Sequence, residues 1–444
     1  MIATFDVLVV GSDEASLCAA ACAARAGARV GLLRRKAEGK RQSDASVSAV
    51  PNAVWRRLDL QDYGVCLEPV SARISLMDEG ESVATYPSVR QTGAALAANG
   101  AEDHLLWSSF VDEMARLKRT ADLDGVVTRA PNGVAPLTSL LENPQRLSAV
   151  GQLTGACTDL LDDYFSDDGL KAHLGAYSLA RAGLGGRELG AALEVPDSLD
   201  DDAWRVRATA DGASLYAVLE KICETSGVEF FEGALISVLT EGGKHKVIEI
   251  TGDAKLKSRC VFFATPEAAA SAGIATPASP LVAQNNVTAS MRFKLRKSVK
   301  PPVGDKDAIF FILDGVDDLQ TARDCVVDGQ LPESLPVEFE FARNGDLIAR
   351  TNYCPKAFRE EGEWRDWTGQ DRQAVAARIT QRLASRISAL PAAVKKSKIE
   401  FIGADEPHKN RPMVASPELV VIQPSHHNAI GAAVQLLDKV LAHG

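Results

Sequence analysis

The run Gly11-Ser12-Asp13-Glu14-Ala15-Ser16 lies between a short apolar segment and an alanine-rich one, where a chain could bind phosphate. Binding a dinucleotide pyrophosphate there needs close backbone approach, supplied by glycines, and the exposed N–H groups of a helix start. The full pattern is G-x-G-x-x-G, with an acidic residue roughly 20 residues further on for a ribose hydroxyl. Here the three glycine positions hold Gly11, Asp13 and Ser16, and the next strand ends in Arg34. Asp13 places a carboxylate at the point of approach, and Glu14 adds a second. Acids in a first helical turn complement the macrodipole, so Asp13 can satisfy the helix end that a phosphate would otherwise satisfy. Arg34 has no acceptor to offer a ribose hydroxyl.

Arg34-Arg35-Lys36, with Lys40 and Arg41 beyond, offers a second chemistry. Arginine in this position can hold a 2′-phosphate, which would make NADP the ligand. A charge run after a strand is more commonly a solvated loop. His426-His427 could titrate near neutrality at a cleft mouth, but a polar pair ahead of the last helix more often caps it. The eight cysteines include no C-x-x-C pair, and Cys18 and Cys22 lack the further ligands that a metal site needs, so no metal is expected. Gly183-Leu184-Gly185-Gly186 is a weak phosphate signal, and no G-x-S-x-G elbow is present to suggest a hydrolase.

The elements that would position these residues follow from periodicity. A buried strand is predicted over Asp6–Val10, a helix over Ala15–Arg25 ending near Gly27, and a strand over Ala28–Leu33. Together they make a βαβ unit. Residues 91 to 150 read as helical with breaks, with Trp107, Phe110 and Met114 as core, and Thr154–Ala180 continues helical. A helix over Ala213–Glu224 leads to strands over Val228–Phe231, Ala234–Thr240 and Val247–Thr251, with a turn at Gly242-Gly243. Arg259–Ala264 is a further buried strand, stopped by Pro266.

Composition sets limits. A chain of 444 residues, 46% hydrophobic, can bury two cores. A net charge of −10 disfavours a nucleic-acid surface. No apolar run reaches the length of a transmembrane helix, which leaves only peripheral membrane contact open. The N-terminus shows no signal pattern, and a cytoplasmic protein is expected.

The order from Ser226 to Ala269 (SGVEFFEGALISVLTEGGKHKVIEITGDAKLKSRCVFFATPEAA) resembles the adenine-side meander of the flavin-dependent phytoene-desaturase and amine-oxidase superfamily. Gly11, Asp13, Ser16, Gly27 and Arg34 fall on the positions of that family's N-terminal motif, Thr209–Leu219 resembles its "GG-x-x-x-L-x-x-A-L" segment, and Pro417–Leu441 resembles its last strand and helix. The resemblance covers about half the chain. It implies an α/β fold with a discontinuous Rossmann-like FAD/NAD(P)-binding domain (1–90, 205–290 and 411–444) and an inserted α+β substrate-type domain (91–204 and 291–410). It further implies cofactor contacts at Gly11, Ser12, Asp13, Glu14, Ala15, Ser16, Arg34, Arg35, Ser237, Val238, Ala264, Thr265, Gln423, His426 and His427.

Four of these contacts depart from the family together. Asp13 and Arg34 do so as described. Arg41–Val50 lacks the glycines that follow the second strand, and Gln423–Asn428 replaces the final glycine-containing turn. Two functions are therefore expected side by side. One is an FAD-dependent oxidoreductase of desaturase or amine-oxidase type, acting on or binding an apolar organic molecule. The other is a flavin-less, non-catalytic relative that binds or assembles a partner, a role that Rab GDP-dissociation inhibitors illustrate by analogy.

Overall fold

A computed structural model describes residues 3–34, 52–100, 102–121, 143–199, 204–209, 215–241, 245–251, 254–263, 286–315, 317–342, 344–402 and 419–421. Two seven-stranded sheets organise it.

The first sheet grows from β1 (Ala3–Val10), whose apolar run from Val7 to Val10 is buried on both faces. It pairs in parallel with β2 (Val30–Arg34) through Val7–Val30 and Val9–Leu32, and with β10 (Ala254–Phe263) through Val7–Cys260 and Val10–Phe263. β7 (Glu229–Glu232) extends the sheet beyond β2, and β18 (Leu419–Val421) pairs in parallel with β10. β8 (Leu235–Glu241) and β9 (His245–Ile250) complete it as an antiparallel meander on β10. The expected strands at 6–10, 28–33 and 259–264 are thus neighbours in one sheet. β10 starts five residues earlier than predicted, because Ala254–Ser258 finds antiparallel partners on β9. The turn at Gly242-Gly243 lies outside the described residues.

The helix Glu14–Arg25 packs on β1 and β2 and against the helix Leu215–Thr225. Ala15 to Ala23 are buried without interruption, because small side chains let it sit between sheet and helix. Cys18 and Cys22 are buried in this contact and form no disulfide, and Cys223 Sγ lies 3.4 Å from the Leu17 carbonyl. The helix ends as expected: Ala26 caps it and Gly27 follows at φ +93°.

The second sheet runs β17 (Val394–Ile402), β11 (Asn286–Leu295), β14 (Leu347–Pro355), β13 (Val337–Phe341), β12 (Ile309–Ile312), β4 (Arg73–Leu76) and β5 (Ser82–Thr85). Only β12–β4 is parallel. The helix Gly369–Arg386 presses Val375, Ile379 and Leu383 onto one face, and the helix Asp168–Leu179 covers the β4–β5 end. Trp107, Phe110 and Met114 are buried as expected, with Phe110 edge-on to Phe165 at 4.7 Å. Residues 73–85 belong to this sheet although they lie within the 1–90 unit, because β12 supplies the partner edge for β4. β11 likewise begins at Asn286, and β3 (Val65–Pro69) pairs separately with β6 (Arg205–Thr209). A small hairpin, β15 (Phe358–Glu360) with β16 (Glu363–Arg365), stands apart.

Candidate dinucleotide site at the first helix

Parallel strands place their C-terminal ends side by side, and that edge is where open α/β sheets bind ligands. Val10, Leu33, Phe263 and Val421 are cross-strand neighbours at this edge. Gly11 leaves it at φ +147°, donating its N–H to Leu33 O at 3.0 Å. The positive φ is the reason for glycine here.

Asp13 is the N-cap of the helix, with extended backbone. Its Oδ1 accepts from Ser16 N at 2.7 Å, while its own carbonyl accepts from Leu17 N at 3.1 Å. The side chain thus takes one of the N–H groups that a bound pyrophosphate would use. Glu14 opens the first turn, and Ser12 and Glu14 are half-buried. Ala15 is buried, and Ser16 is fully so, its Oγ without a hydrogen-bond partner among the described residues.

Arg34 is committed as well. Its Nη1 donates to Glu220 on the helix Leu215–Thr225, and Nη2 lies 3.8 Å from Glu232 on β7. Its guanidinium stands 4.9 Å over the Phe230 ring. Burial alone would lower its pKa, but the Glu220 carboxylate outweighs that and raises it. The side chain clasps β2, β7 and a helix together, and its nearest donors already face carboxylates.

The other expected contacts are divided. Ser237 lies on β8, separated from β1 by β9 and β10, and donates to Glu249 Oε2 at 2.9 Å. Val238 shares that edge strand. The structure therefore does not bring Ser237 and Val238 to the Gly11 turn. Arg35, Ala264, Thr265, Gln423, His426 and His427 lie outside the described residues.

The glycine loop at 183–186 has a packing role. Gly183 sits at φ +63° with its carbonyl accepting from Asn286 Nδ2 at 2.9 Å, and Gly185 N donates to Glu188 Oε2 at 2.8 Å. Side chains of Asn286 and Gln320 fill the space beside these glycines, where a Cβ would collide.

A polar cluster that no motif announces lies against the second sheet. His173 is buried between Ser75 Oγ on Nδ1 and Thr85 Oγ1 on Nε2, both at 2.8 Å. Burial, and then the charge of Arg73, depress its pKa to about 3, so the ring is neutral. Arg73 donates to Ser198 O at 2.5 Å under the Trp204 ring at 4.2 Å. Glu338 lies 3.3 Å from Arg181 and 3.4 Å from Arg350, which in turn reaches Glu340 at 2.7 Å. Burial would raise the Glu338 pKa, but Arg181 and Arg350 hold it below the usual value. Only the cross-strand pair Glu338–Arg350 could have signalled this network, and pairing is not visible before the sheet is known.

No family model and no curated protein matches the chain. Among solved structures it is similar to a triple mutant of putrescine oxidase with redesigned cofactor binding, at 14% identity over 99% of both chains and a TM-score of 0.59. Cyclohexylamine oxidase from Brevibacterium oxydans IH-35A gives 13% identity, 99% of both chains and 0.55. Wild-type putrescine oxidase bound to putrescine gives 13%, 99% of this chain, 98% of the other and 0.54. The fold is thus a discontinuous α/β fold like that of these amine oxidases, with a Rossmann-like sheet and a second, mixed sheet. At such identities the likeness concerns fold alone. FAD held by a phosphate loop does not fit the residues present: Asp13 takes a helix N–H itself, and Arg34 replaces the ribose acceptor. Among the described residues there is no cluster able to hold a metal, and no helix is long and apolar enough to cross a membrane.

Proposed function

We propose that this chain is a flavin-less relative of the amine oxidases that works as a binding or assembly protein, taking an apolar organic molecule or a protein partner. The observation that carries the reading is the 2.7 Å bond from Ser16 N to Asp13 Oδ1, which closes the helix end on the protein's own carboxylate. The Arg34 clasp supports it and also counts against NADP, because a 2′-phosphate would have to displace Glu220. In this reading the chain keeps a dinucleotide-type unit and a substrate-type unit, with β4 and β5 donated to the latter.

A second reading, an FAD-dependent oxidoreductase of amine-oxidase or desaturase type, is favoured by the full-length fold match to two amine oxidases. The absorbance spectrum of the purified protein separates the two. Flavin bands at one per chain would overturn the flavin-less reading. A colourless protein that also fails to bind added FAD would sustain it.

A further inference from the structure

The helix Gly369–Arg386 presents two faces. Val375, Ile379 and Leu383 are buried on the sheet, and Arg378, Arg382 and Arg386 recur at four-residue spacing along another side. These arginines, with Asp78, Asp314, Glu333, Ser334, Gln381 and Ser385, line a pocket of about 350 Å³. That volume suits a small ligand.

Two of the pocket's three carboxylates are already committed to Arg382 and Arg386. Asp314 already accepts from Ser334 Oγ at 2.7 Å, from Arg382 Nη1 at 2.7 and 3.0 Å, and from Arg386 Nη2 at 2.9 Å. Asp78 takes Arg386 Nη2 at 2.6 Å from an exposed position. Arg382 Nη2 and Arg386 Nε are buried without an acceptor among the described residues. Arg378 has no carboxylate partner there: its Nη1 donates to the carbonyls of Leu331, at 2.6 Å, and Pro332. Carbonyls orient a guanidinium without neutralising it, which leaves its positive charge at the pocket uncompensated by a paired carboxylate. Glu333, exposed and lining the pocket, adds to the opposing charge of Asp78 and Asp314 and has no arginine of its own among the described residues.

We propose that this pocket is a binding site for a small oxyanion, the phosphate or carboxylate group of an organic acid, recognised chiefly by Arg378. It is separate from the dinucleotide edge and does not depend on the function proposed above. The anion supplies the charged partner that Arg378 lacks, and Asp314 keeps Arg382 and Arg386 in place. Glu333 weakens the site by like charge, which gives the proposal a sign that mere helix anchoring would not have.

Titration calorimetry of the full chain with inorganic phosphate, and separately with succinate, tests it. Saturable binding to one or both is expected, weakening with added salt. Arg378→Gln should weaken it about tenfold or more, the effect of losing a charge-assisted contact. Glu333→Gln should tighten it several-fold. Phosphate without succinate assigns the site to phosphates, and the reverse assigns it to carboxylates. No saturable binding of either anion, or binding that neither variant alters, overturns the proposal. If Arg378→Gln does not fold, Glu333→Gln, at an exposed position, still decides by direction.

Discussion

Asp13→Gly restores the glycine of the phosphate loop and removes the carboxylate that caps the first helix. The stability cost follows from the local structure. One cap bond, Ser16 N to Asp13 Oδ1 at 2.7 Å, is lost, while Glu14 still faces the helix end. Glycine at a cap ordinarily costs a few tenths of a kcal/mol, and because Ser16 is fully buried the cost here should approach about 1 kcal/mol. The effect on a dinucleotide should be larger. A carboxylate and one phosphate charge about 4 Å apart repel by about 4 kcal/mol at an effective dielectric of 20, and salt screens part of that. Relief of even a third of it corresponds to roughly tenfold in affinity. FAD binding by the variant, followed through flavin fluorescence at low salt, should therefore be at least about tenfold tighter than by the unaltered chain. An FAD affinity unchanged within a factor of two, in a variant that unfolds at nearly the same denaturant concentration, would refute the reasoning. Arg34→Glu is not a neutral companion to this change, since it sets a third carboxylate beside Glu220 and Glu232.

Further outcomes follow from the packing. His173 has its folded pKa depressed to about 3 against roughly 6.5 when unfolded, so the unfolded chain binds a proton that the native one refuses. Its contribution is fully present above about pH 6.5 and is lost as pH falls toward 3, by roughly 3 kcal/mol at pH 4.5; denaturant titrations at pH 7 and 4.5 should show that much less pH dependence in His173→Gln. Gly183→Ala forces a side chain into a φ of +63°, against Asn286 and within 3.0 Å of Asn352 O, and should cost about 1–3 kcal/mol by equilibrium unfolding. Phe110→Ala empties a site packed on Phe165 at 4.7 Å and Tyr164 at 5.1 Å, and should cost about 3–5 kcal/mol, with no loss of stability refuting its place in the core.

Much of the first sheet is legible in the sequence alone. Val7–Val10, Val30–Leu33 and Cys260–Phe263 are short apolar runs bounded by turn residues, and such runs are buried parallel strands whatever surrounds them. The first helix was equally plain, because Asp13, Gly27 and the alanines between them are local signals that act within a few residues. Two expected residues, Ser237 and Val238, proved to lie on an edge strand away from the Gly11 turn, since a resemblance can supply an order of elements but not their distance.

The sequence by itself determined that a helix starts at an acid where a phosphate loop would have glycine, because capping is a contact between residues three apart. Only the tertiary structure decided what Arg34 does. Read alone, it was either a phosphate ligand or a solvated charge, and Glu220, 186 residues away, makes it neither. The same holds for Arg73, His173 and Glu338, and for the row from Arg378 to Arg386. Their partners come from other strands and loops, and a charge acquires a role only when folding sets its neighbours and removes its water.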